Sequence, residues 1–200
     1  MKTILQVNTS ILSNEGQSTR LANDFVAAIR SDEKLIVRDL SRDPVPHLDA
    51  ERFGAFIAKP DSRTLKQEAL VAYSDQLIGE LKQADVIVLG LPMYNFGVPS
   101  TLKAWFDHVA RAGVTFNYTA SGPAGLLTGK KMYVLATRGG MYAGTPRDTQ
   151  TAYVRDFFAF LGITDIEFVY AEGLAISETS RNAALAKARA EIERLVPAYA

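Results

Sequence analysis

The chain has 200 residues, 48% of them apolar and 22% charged, which is typical of a globular protein and excludes a disordered one. Its 22 Lys and Arg residues balance its 22 Asp and Glu residues, whereas a dedicated nucleic-acid binder is normally basic. The chain has no cysteine and two histidines, so disulfides, cysteine nucleophiles and metal sites are not expected.

The first half of the chain alternates apolar runs that predict strands with amphipathic patterns that predict helices. Strands are predicted at 4–7, 34–37 and 85–91, and helices at 18–30 and 67–83. Residues 42–63 contain three prolines and are expected to form an irregular excursion. The run at 85–91 is apolar on both faces, which is typical of a central parallel strand covered by helices on both sides.

The second half continues the same alternation. Strands are predicted at 132–136 and 166–170, and helices at 99–112, 151–161 and 180–196. Five strands alternating with five helices predict a single α/β domain over residues 1–200 with a doubly wound parallel sheet. Right-handed crossovers and five strands favour the flavodoxin-like strand order 2-1-3-4-5.

Ligands of such sheets bind beyond the carboxyl ends of the strands, near the point where the strand order reverses. The loop after the first strand, residues 8–20, is rich in hydroxyl groups and leads into a helix, whose N-terminus can hold a phosphate. A simple helix cap by Ser18 is the alternative. No G-x-G-x-x-G motif follows the first strand, so the dinucleotide fingerprint is absent.

Two further loops suit a flat ligand. Residues 92–99 place two aromatic residues between prolines, which favours packing of a ring, although these side chains could instead fill the core. Paired glycines in residues 137–142 allow close approach of backbone N–H groups, although an ordinary turn would look the same. No nucleophile has an evident partner, so we expect a cofactor, and no catalytic side chain, to supply the chemistry.

These loops resemble those of the bacterial FMN-dependent NADH:quinone oxidoreductases, also called FMN-dependent NADH-azoreductases. The matching stretches include Pro-Met-Tyr-Asn-Phe and are found in chain order at 10–12, 17–18, 92–96, 110–116, 138–140 and 161–165. The resemblance implies that FMN is bound by Ser10, Gly16, Gln17, Ser18, Met93, Tyr94, Asn95, Phe96, Thr137, Arg138, Gly139 and Gly140. It also implies that substrates are bound by Asn95, Phe96, Tyr118 and Phe160. Position 16 is Gly where the family carries Ser.

The resemblance further implies a homodimer with sites at its interface. It implies as well that hydride passes from NADH or NADPH through FMN to quinones, giving quinols, and that aromatic azo compounds are cleaved to amines, in a ping-pong cycle. Two alternatives remain: a flavodoxin-like electron carrier without its own NAD(P)H:acceptor activity, and a ligand-binding or phosphate-sensing module. No apolar run approaches the length of a membrane span and no signal-peptide pattern is evident, so we expect a cytoplasmic protein without membrane or nucleic-acid partners.

Overall fold

The computed structural model describes residues 1–199. Its strands, in chain order, are β1 (Thr3–Asn8), β2 (Lys34–Asp39), β3 (Val86–Pro92), β4 (Phe116–Thr119), β5 (Gly122–Gly125), β6 (Lys131–Thr137) and β7 (Asp165–Ala171). Its α-helices are α1 (Gln17–Ile29), α2 (Ala50–Ile57), α3 (Leu65–Gln83), α4 (Ser100–Val109), α5 (Thr151–Phe160) and α6 (Glu178–Tyr199). Within these residues, no helix has the length and apolarity needed to cross a membrane.

The main sheet has five parallel strands in the order β2-β1-β3-β6-β7. Numbered along the chain within that sheet, this is 2-1-3-4-5, so the predicted flavodoxin-like order is confirmed. The register aligns Asn8 with Gly90, and Pro92 with Thr137. The carboxyl ends of β1, β3 and β6 therefore meet at one edge of the sheet.

Two hydrophobic clusters cover the central strands. On β3, Ile87, Leu89 and Leu91 belong to the cluster formed with α3, α4 and α5. The alternate residues Val86 and Val88 belong to the cluster formed with α1 and α6. Successive side chains of a strand point to opposite faces, which explains why β3 is apolar throughout.

The prediction of an irregular excursion over residues 42–63 is wrong in part, because α2 and a short 3-10 helix lie within it. Asp49 caps α2, and its carboxylate accepts a hydrogen bond from the backbone N–H of Arg52 at 2.8 Å. Pro46 and Pro60 fall outside α2, so they bound the helix and do not interrupt it.

The prediction of five strands and five helices also omitted the antiparallel hairpin β4–β5, which lies outside the main sheet. Gly125 at its end packs directly on the backbone of Gly162, where an added Cβ would come within 2.0 Å of the Gly162 nitrogen. The glycine is needed here for this close approach, and no alternation of apolar residues marks the hairpin in the sequence.

Candidate functional site

The loops after β1, β3 and β6 enclose a small pocket at the carboxyl edge of the main sheet. In the sheet, β1 lies between β2 and β3. The strand order therefore reverses at β1, and the pocket lies at this point. Its volume is about 150 Å³. The lining residues are Ser10, Leu12, Gly16, Gln17, Ser18, Pro92, Met93, Tyr94, Thr137, Arg138, Gly139 and Leu174. Folding thus brings most of the predicted cofactor residues together around one cavity.

The N-terminus of α1 opens into this pocket. Its N-cap is Gly16, which provides no side-chain cap, and the first hydrogen bond into the helix runs from Arg20 N to Gly16 O at 3.0 Å. The N–H groups of residues 17–19 therefore have no partner within the helix. Ser18 is fully buried, and its Oγ has no hydrogen-bond partner among the described residues. The alternative in which Ser18 caps the helix is wrong, and its buried hydroxyl is left without a partner.

The loop after β1 is braced against the loop after β3 by the Tyr94 hydroxyl. The Tyr94 oxygen lies 3.2 Å from Ser10 Oγ and accepts a hydrogen bond from Ile11 N at 3.3 Å. Ser10 Oγ also accepts from Leu12 N at 3.2 Å. Gly16 packs so closely against this loop that an added Cβ would lie 2.1 Å from Ser10 Oγ and 2.5 Å from its Cβ. A side chain at position 16 would therefore require the loop to shift.

Residues 94–97 form a tight two-residue turn. Tyr94 N donates to Gly97 O at 3.1 Å, and Gly97 N donates to Tyr94 O at 2.9 Å. The central residues Asn95 and Phe96 have φ angles of 50° and 64°, which makes this a type I′ turn. In residues 1–199, neither central N–H group donates a hydrogen bond within the protein. The turn therefore presents two unpaired donors beside the pocket.

Backbone strain is concentrated at this edge. Among the described residues, positive φ angles outside glycine occur at Ser13, Asn95 and Phe96, and all three lie in the loops after β1 and β3. Each such conformation costs about 1–3 kcal/mol and persists only where the surrounding structure enforces it. This clustering of strain supports a functional role for the two loops.

The loop after β6 is fixed by its carbonyl groups. The carbonyl oxygens of Arg138, Gly139 and Gly140 accept hydrogen bonds from Leu174, Ala175 and Gly173, at 3.1, 3.0 and 2.8 Å. The N–H groups of Gly139 and Gly140 donate to no atom of the described chain. Because the carbonyls are held on one side, these two donors remain for a ligand on the other side.

The Arg138 side chain does not serve the pocket directly. It is fully buried, and its guanidinium donates to Asp148 at 2.9 Å and to Glu172 at 3.1 Å. Glu172 in turn accepts the backbone N–H groups of Tyr142 and Ala143. Burial alone raises the pKa of Asp148, but hydrogen bonds from Arg138 and Thr151 outweigh it and hold that pKa below its ordinary value. Arg138 therefore fixes the loop, and its backbone faces the pocket.

Sequence reasoning missed Gln150. This residue is fully buried at the N-cap of α5, and its Nε2 donates to Pro92 O at 2.9 Å and to Gly97 O at 3.2 Å. It thus contacts both ends of the turn segment from 53 to 58 positions away in sequence. No local pattern could indicate such a contact, because it depends on the docking of α5 beside β3.

Tyr118 and Phe160 lie apart from this pocket. Tyr118 is 77% exposed and borders a second cavity of about 590 Å³, beside α2 and α4. Phe160 is half-buried and packs on Phe116, with ring centroids 4.2 Å apart. Phe116 also contacts Tyr118, at 5.3 Å. The two predicted substrate residues are joined through Phe116 but do not reach the carboxyl-edge pocket of their own chain.

The carboxyl-edge pocket is suited to an anion and a flat polar ring. It offers neutral hydroxyl and N–H donors, and Arg138, the one cation among the described lining residues, is already paired. No group of three or more potential metal ligands occurs in the described part of the chain. Larger cavities lie elsewhere, but none of their described lining residues has a buried side-chain donor or acceptor without a partner. The arrangement can bind and orient a cofactor, and it contains no acid–base pair.

Comparison with known proteins places the chain among flavoenzymes. A family model described as having a flavodoxin-like fold matches residues 2–196. The FMN-dependent NADH:quinone oxidoreductase of Cellvibrio japonicus is 50% identical over 99% of this chain and 100% of its own length. The Alcanivorax borkumensis protein of the same name is 53% identical over 94% and 97% of the two chains. The structure of an FMN-dependent NADH-azoreductase from Bacillus anthracis in complex with FMN superposes with a TM-score of 0.89 at 27% identity, covering 98% of each chain.

Proposed function

Because this chain belongs to the FMN-dependent NADH:quinone oxidoreductases of the flavodoxin-like fold family, we propose that it reduces quinones and aromatic azo compounds with NAD(P)H as electron donor. FMN, when bound, supplies the two-electron chemistry that links donor and acceptor. In the overall quinone reaction, NADH, a proton and a quinone give NAD⁺ and a quinol. Cleavage of an azo bond to two amines consumes two NADH and two protons.

The buried Ser18 hydroxyl is the observation that carries the assignment of FMN to the carboxyl edge. A buried hydroxyl without a partner costs free energy unless a ligand satisfies it. It lies in the first turn of α1, where free N–H groups and the positive end of the helix dipole favour a phosphate. Ser10, Gly16 and Gln17 complete the proposed phosphate site.

The loops after β3 and β6 are proposed to hold the isoalloxazine ring. Met93, Tyr94, Asn95 and Phe96 provide packing surface and the unpaired donors of the turn. On the other side, the proposed contacts are Thr137, Arg138, Gly139 and Gly140. Donors fixed in advance towards a ring that gains negative charge on reduction favour that reduction, because no group has to reorganise. The protein's own groups therefore bind and orient the flavin, and no side chain needs to act as a nucleophile.

A homodimer accounts for the positions of Tyr118 and Phe160. They lie apart from the pocket of their own chain, so they can line a substrate site only against the flavin of a partner subunit. The apolar side chains of Phe53 and Ile57, which border the same cavity as Tyr118, are 54% and 68% exposed. Such exposed apolar area is typical of an interface. Light scattering during size-exclusion chromatography should give twice the 21.9 kDa chain mass, and a monomer would contradict the proposal.

The two hydrophobic clusters on alternate β3 side chains support a doubly wound sheet with helices on both faces. The family match over residues 2–196 supports one domain over residues 1–200. A cytoplasmic location remains a prediction from the sequence.

Three measurements on purified protein test the proposed function. The absorption spectrum should show bound flavin, and chromatography of the flavin released by heat should identify FMN and not FAD. The protein alone should then oxidise NADH when a quinone is added. A yellow protein without this activity would indicate an electron carrier, and a colourless protein that takes up no FMN would contradict a flavin function altogether.

A further inference from the structure

Gln150 holds the segment that follows β3 at both of its ends. Its side-chain nitrogen donates to Pro92 O and to Gly97 O, which bracket residues 93–96. Because both partners are carbonyl oxygens, the amide nitrogen, and not the amide oxygen, must face them. One buried side chain therefore fixes the span of the turn.

The stability of the core does not explain why a glutamine occupies the buried position 150. The Gln150 Oε1 atom is buried and has no partner in the described part of the chain. A half-satisfied buried amide costs free energy, which an unbranched apolar side chain of similar length would avoid. The contribution that an apolar side chain could not reproduce is the pair of hydrogen bonds to the turn.

The 94–97 turn needs these hydrogen bonds because its two central residues adopt an unfavourable backbone conformation. Asn95 and Phe96 both lie in the left-handed region, which is disfavoured for an aromatic residue and persists only where its surroundings enforce it. Thr149 adds a second contact, since its hydroxyl donates to Phe96 O. The directions of the Asn95 and Phe96 N–H groups depend directly on these φ angles.

We propose that Gln150 is a positioning residue that holds the 94–97 turn in its left-handed conformation, points the Asn95 and Phe96 N–H groups at the flavin ring, and thereby raises the midpoint potential of the bound FMN. This inference rests on the proposed function. The reduced ring carries more negative charge than the oxidised ring, so fixed donors stabilise the reduced form more. The phosphate site at α1 does not involve Gln150, so anchoring of the cofactor is retained without it.

Gln150→Met tests the proposal, because it keeps the length of the side chain and removes both donors. In the full-length variant without added flavin, backbone chemical shifts of Asn95 and Phe96 should leave the values typical of positive φ. Affinity for oxidised FMN should fall by less than about tenfold, and affinity for the reduced form should fall about tenfold further. That difference lowers the two-electron midpoint potential by about 30 mV. The melting temperature should stay within about 5 °C of the wild-type value.

Two further variants separate positioning from general destabilisation. Val154 is fully buried one turn further along α5, so Val154→Ala should lower the melting temperature and leave the flavin potential unchanged. Gln150→Glu places a carboxylate against the two carbonyl oxygens, and only its protonated form can donate a hydrogen bond. Its deficit in potential, relative to wild type at the same pH, should therefore shrink as the pH is lowered.

The outcomes distinguish this inference from the function on which it rests. Suppose that wild-type protein takes up FMN. If both Gln150 variants then keep the wild-type flavin potential and the wild-type backbone chemical shifts of Asn95 and Phe96, the positioning role is overturned. If Gln150→Met weakens both redox forms of FMN equally, its role is structural and the proposal is again overturned. If wild-type protein takes up no FMN, the proposed function fails instead.

Discussion

At the amino-terminal edge of the main sheet, a cavity of about 670 Å³ is lined by charged side chains that have partners within the protein. Lys131 Nζ lies 2.5 Å from Asp165 and 3.6 Å from Glu167, and Lys130 Nζ donates to Ala84 O and Lys82 O. At the carboxyl edge, the pocket is about 150 Å³, yet the Ser18 hydroxyl and the N–H groups of Gly139 and Gly140 lack partners among residues 1–199. The larger cavity thus lies at the edge where the charged side chains already have partners.

An unpaired buried hydroxyl and backbone strain thus distinguish the carboxyl edge, whereas cavity volume alone would select the amino-terminal edge. Unpaired buried groups and left-handed residues both cost stability, so a folded chain keeps them only where something else is gained. Among the described residues that line the larger cavity, no buried side-chain atom is unpaired, and only glycine has a positive φ angle.

The largest effect is expected from Arg138→Met at the carboxyl edge. This substitution leaves the buried carboxylates of Asp148 and Glu172 without their cation, and breaking a buried pair costs about 3–5 kcal/mol of stability. Release of Glu172 should also loosen the loop that it holds through Tyr142 N, so FMN should bind more weakly. Urea unfolding and FMN titration measure the two effects. A loss of stability below about 1 kcal/mol would contradict the account.

Ser18→Asp should reduce FMN affinity by about 100-fold or more. A carboxylate in the first turn of α1 would occupy the positive end of the helix dipole and repel the phosphate, and losing such a charge-assisted contact costs about 2–5 kcal/mol. Ser100→Asp is the control for added charge at a helix N-terminus, because Ser100 lies in the first turn of α4 and does not line the pocket. Flavin fluorescence titrations of both variants decide the point. Full flavin occupancy in Ser18→Asp, or unfolding of the variant, would defeat the prediction.

Tyr118→Ala and Phe160→Ala should affect the acceptor more than the flavin. Aromatic stacking contributes about 0.5–1.5 kcal/mol beyond area burial, so kcat/KM for a bulky aromatic acceptor should fall roughly 2- to 13-fold in each variant. A small benzoquinone should be less affected, and FMN content should stay near the wild-type level. Phe160 also packs on Phe116, so its thermal stability is the necessary control. A uniform loss of all activities together with destabilisation would show that Phe160 is a core residue only.

Acid should destabilise the protein through His108, which lies in neither edge site. Burial lowers the pKa of His108 below its ordinary value of 6.5, and the Nδ1 atom lies 2.9 Å from Ala104 O. Nearby Arg52 lowers that pKa further, while Ala104 O, Asp107 and Asp49 raise it. Below about pH 6.5 the unfolded chain binds a proton that the native state does not, so stability falls with pH by at most about 1.4 kcal/mol per unit.

His108→Gln removes this titration and should flatten the pH dependence of unfolding between about pH 6.5 and the lowered native pKa. Urea unfolding at several pH values measures the slope for both proteins. An unchanged slope in the variant would show that another group carries the acid sensitivity. FMN affinity of the variant at pH 7 should match wild type, because His108 does not line the pocket.

The smallest effect is expected from Lys131→Met at the amino-terminal edge. Its ion pairs with Asp165 and Glu167 are partly exposed, and such pairs contribute about 0–1 kcal/mol. FMN affinity should be unchanged. A large loss of FMN affinity here would mean that the flavin binds at the larger cavity, and the comparison of the two edges would fail.

Much of the fold was predictable because it follows from local periodicity. The five apolar runs gave the strands of the main sheet to within two residues at each end, and the carboxyl-edge rule then selected the three loops. The helix α2 was missed because prolines on both sides concealed a short amphipathic segment. The hairpin β4–β5 has Gly and Pro in its second strand and lacks the alternation that marks a strand.

The sequence predicted which loops form the candidate site, but not the hydrogen bonds among their side chains. The sequence left Ser18 as a phosphate ligand or a helix cap, and only the three-dimensional structure shows that it does not cap α1. The sequence could not show that the Arg138 guanidinium turns away from the pocket, because its partners lie 10 and 34 positions along the chain. Gln150 carries no local signal for the same reason.

The most direct test of the central claim is to follow backbone amide resonances of the full-length protein while FMN is added. The account predicts the largest shifts at Ser18, Asn95, Phe96, Gly139 and Gly140, whose N–H groups are unpaired at the carboxyl edge, and little change at Gly129, Lys130 and Lys131 around the larger cavity. Shifts concentrated around Lys130 and Lys131, with the turn and the α1 N-terminus unchanged, would contradict it.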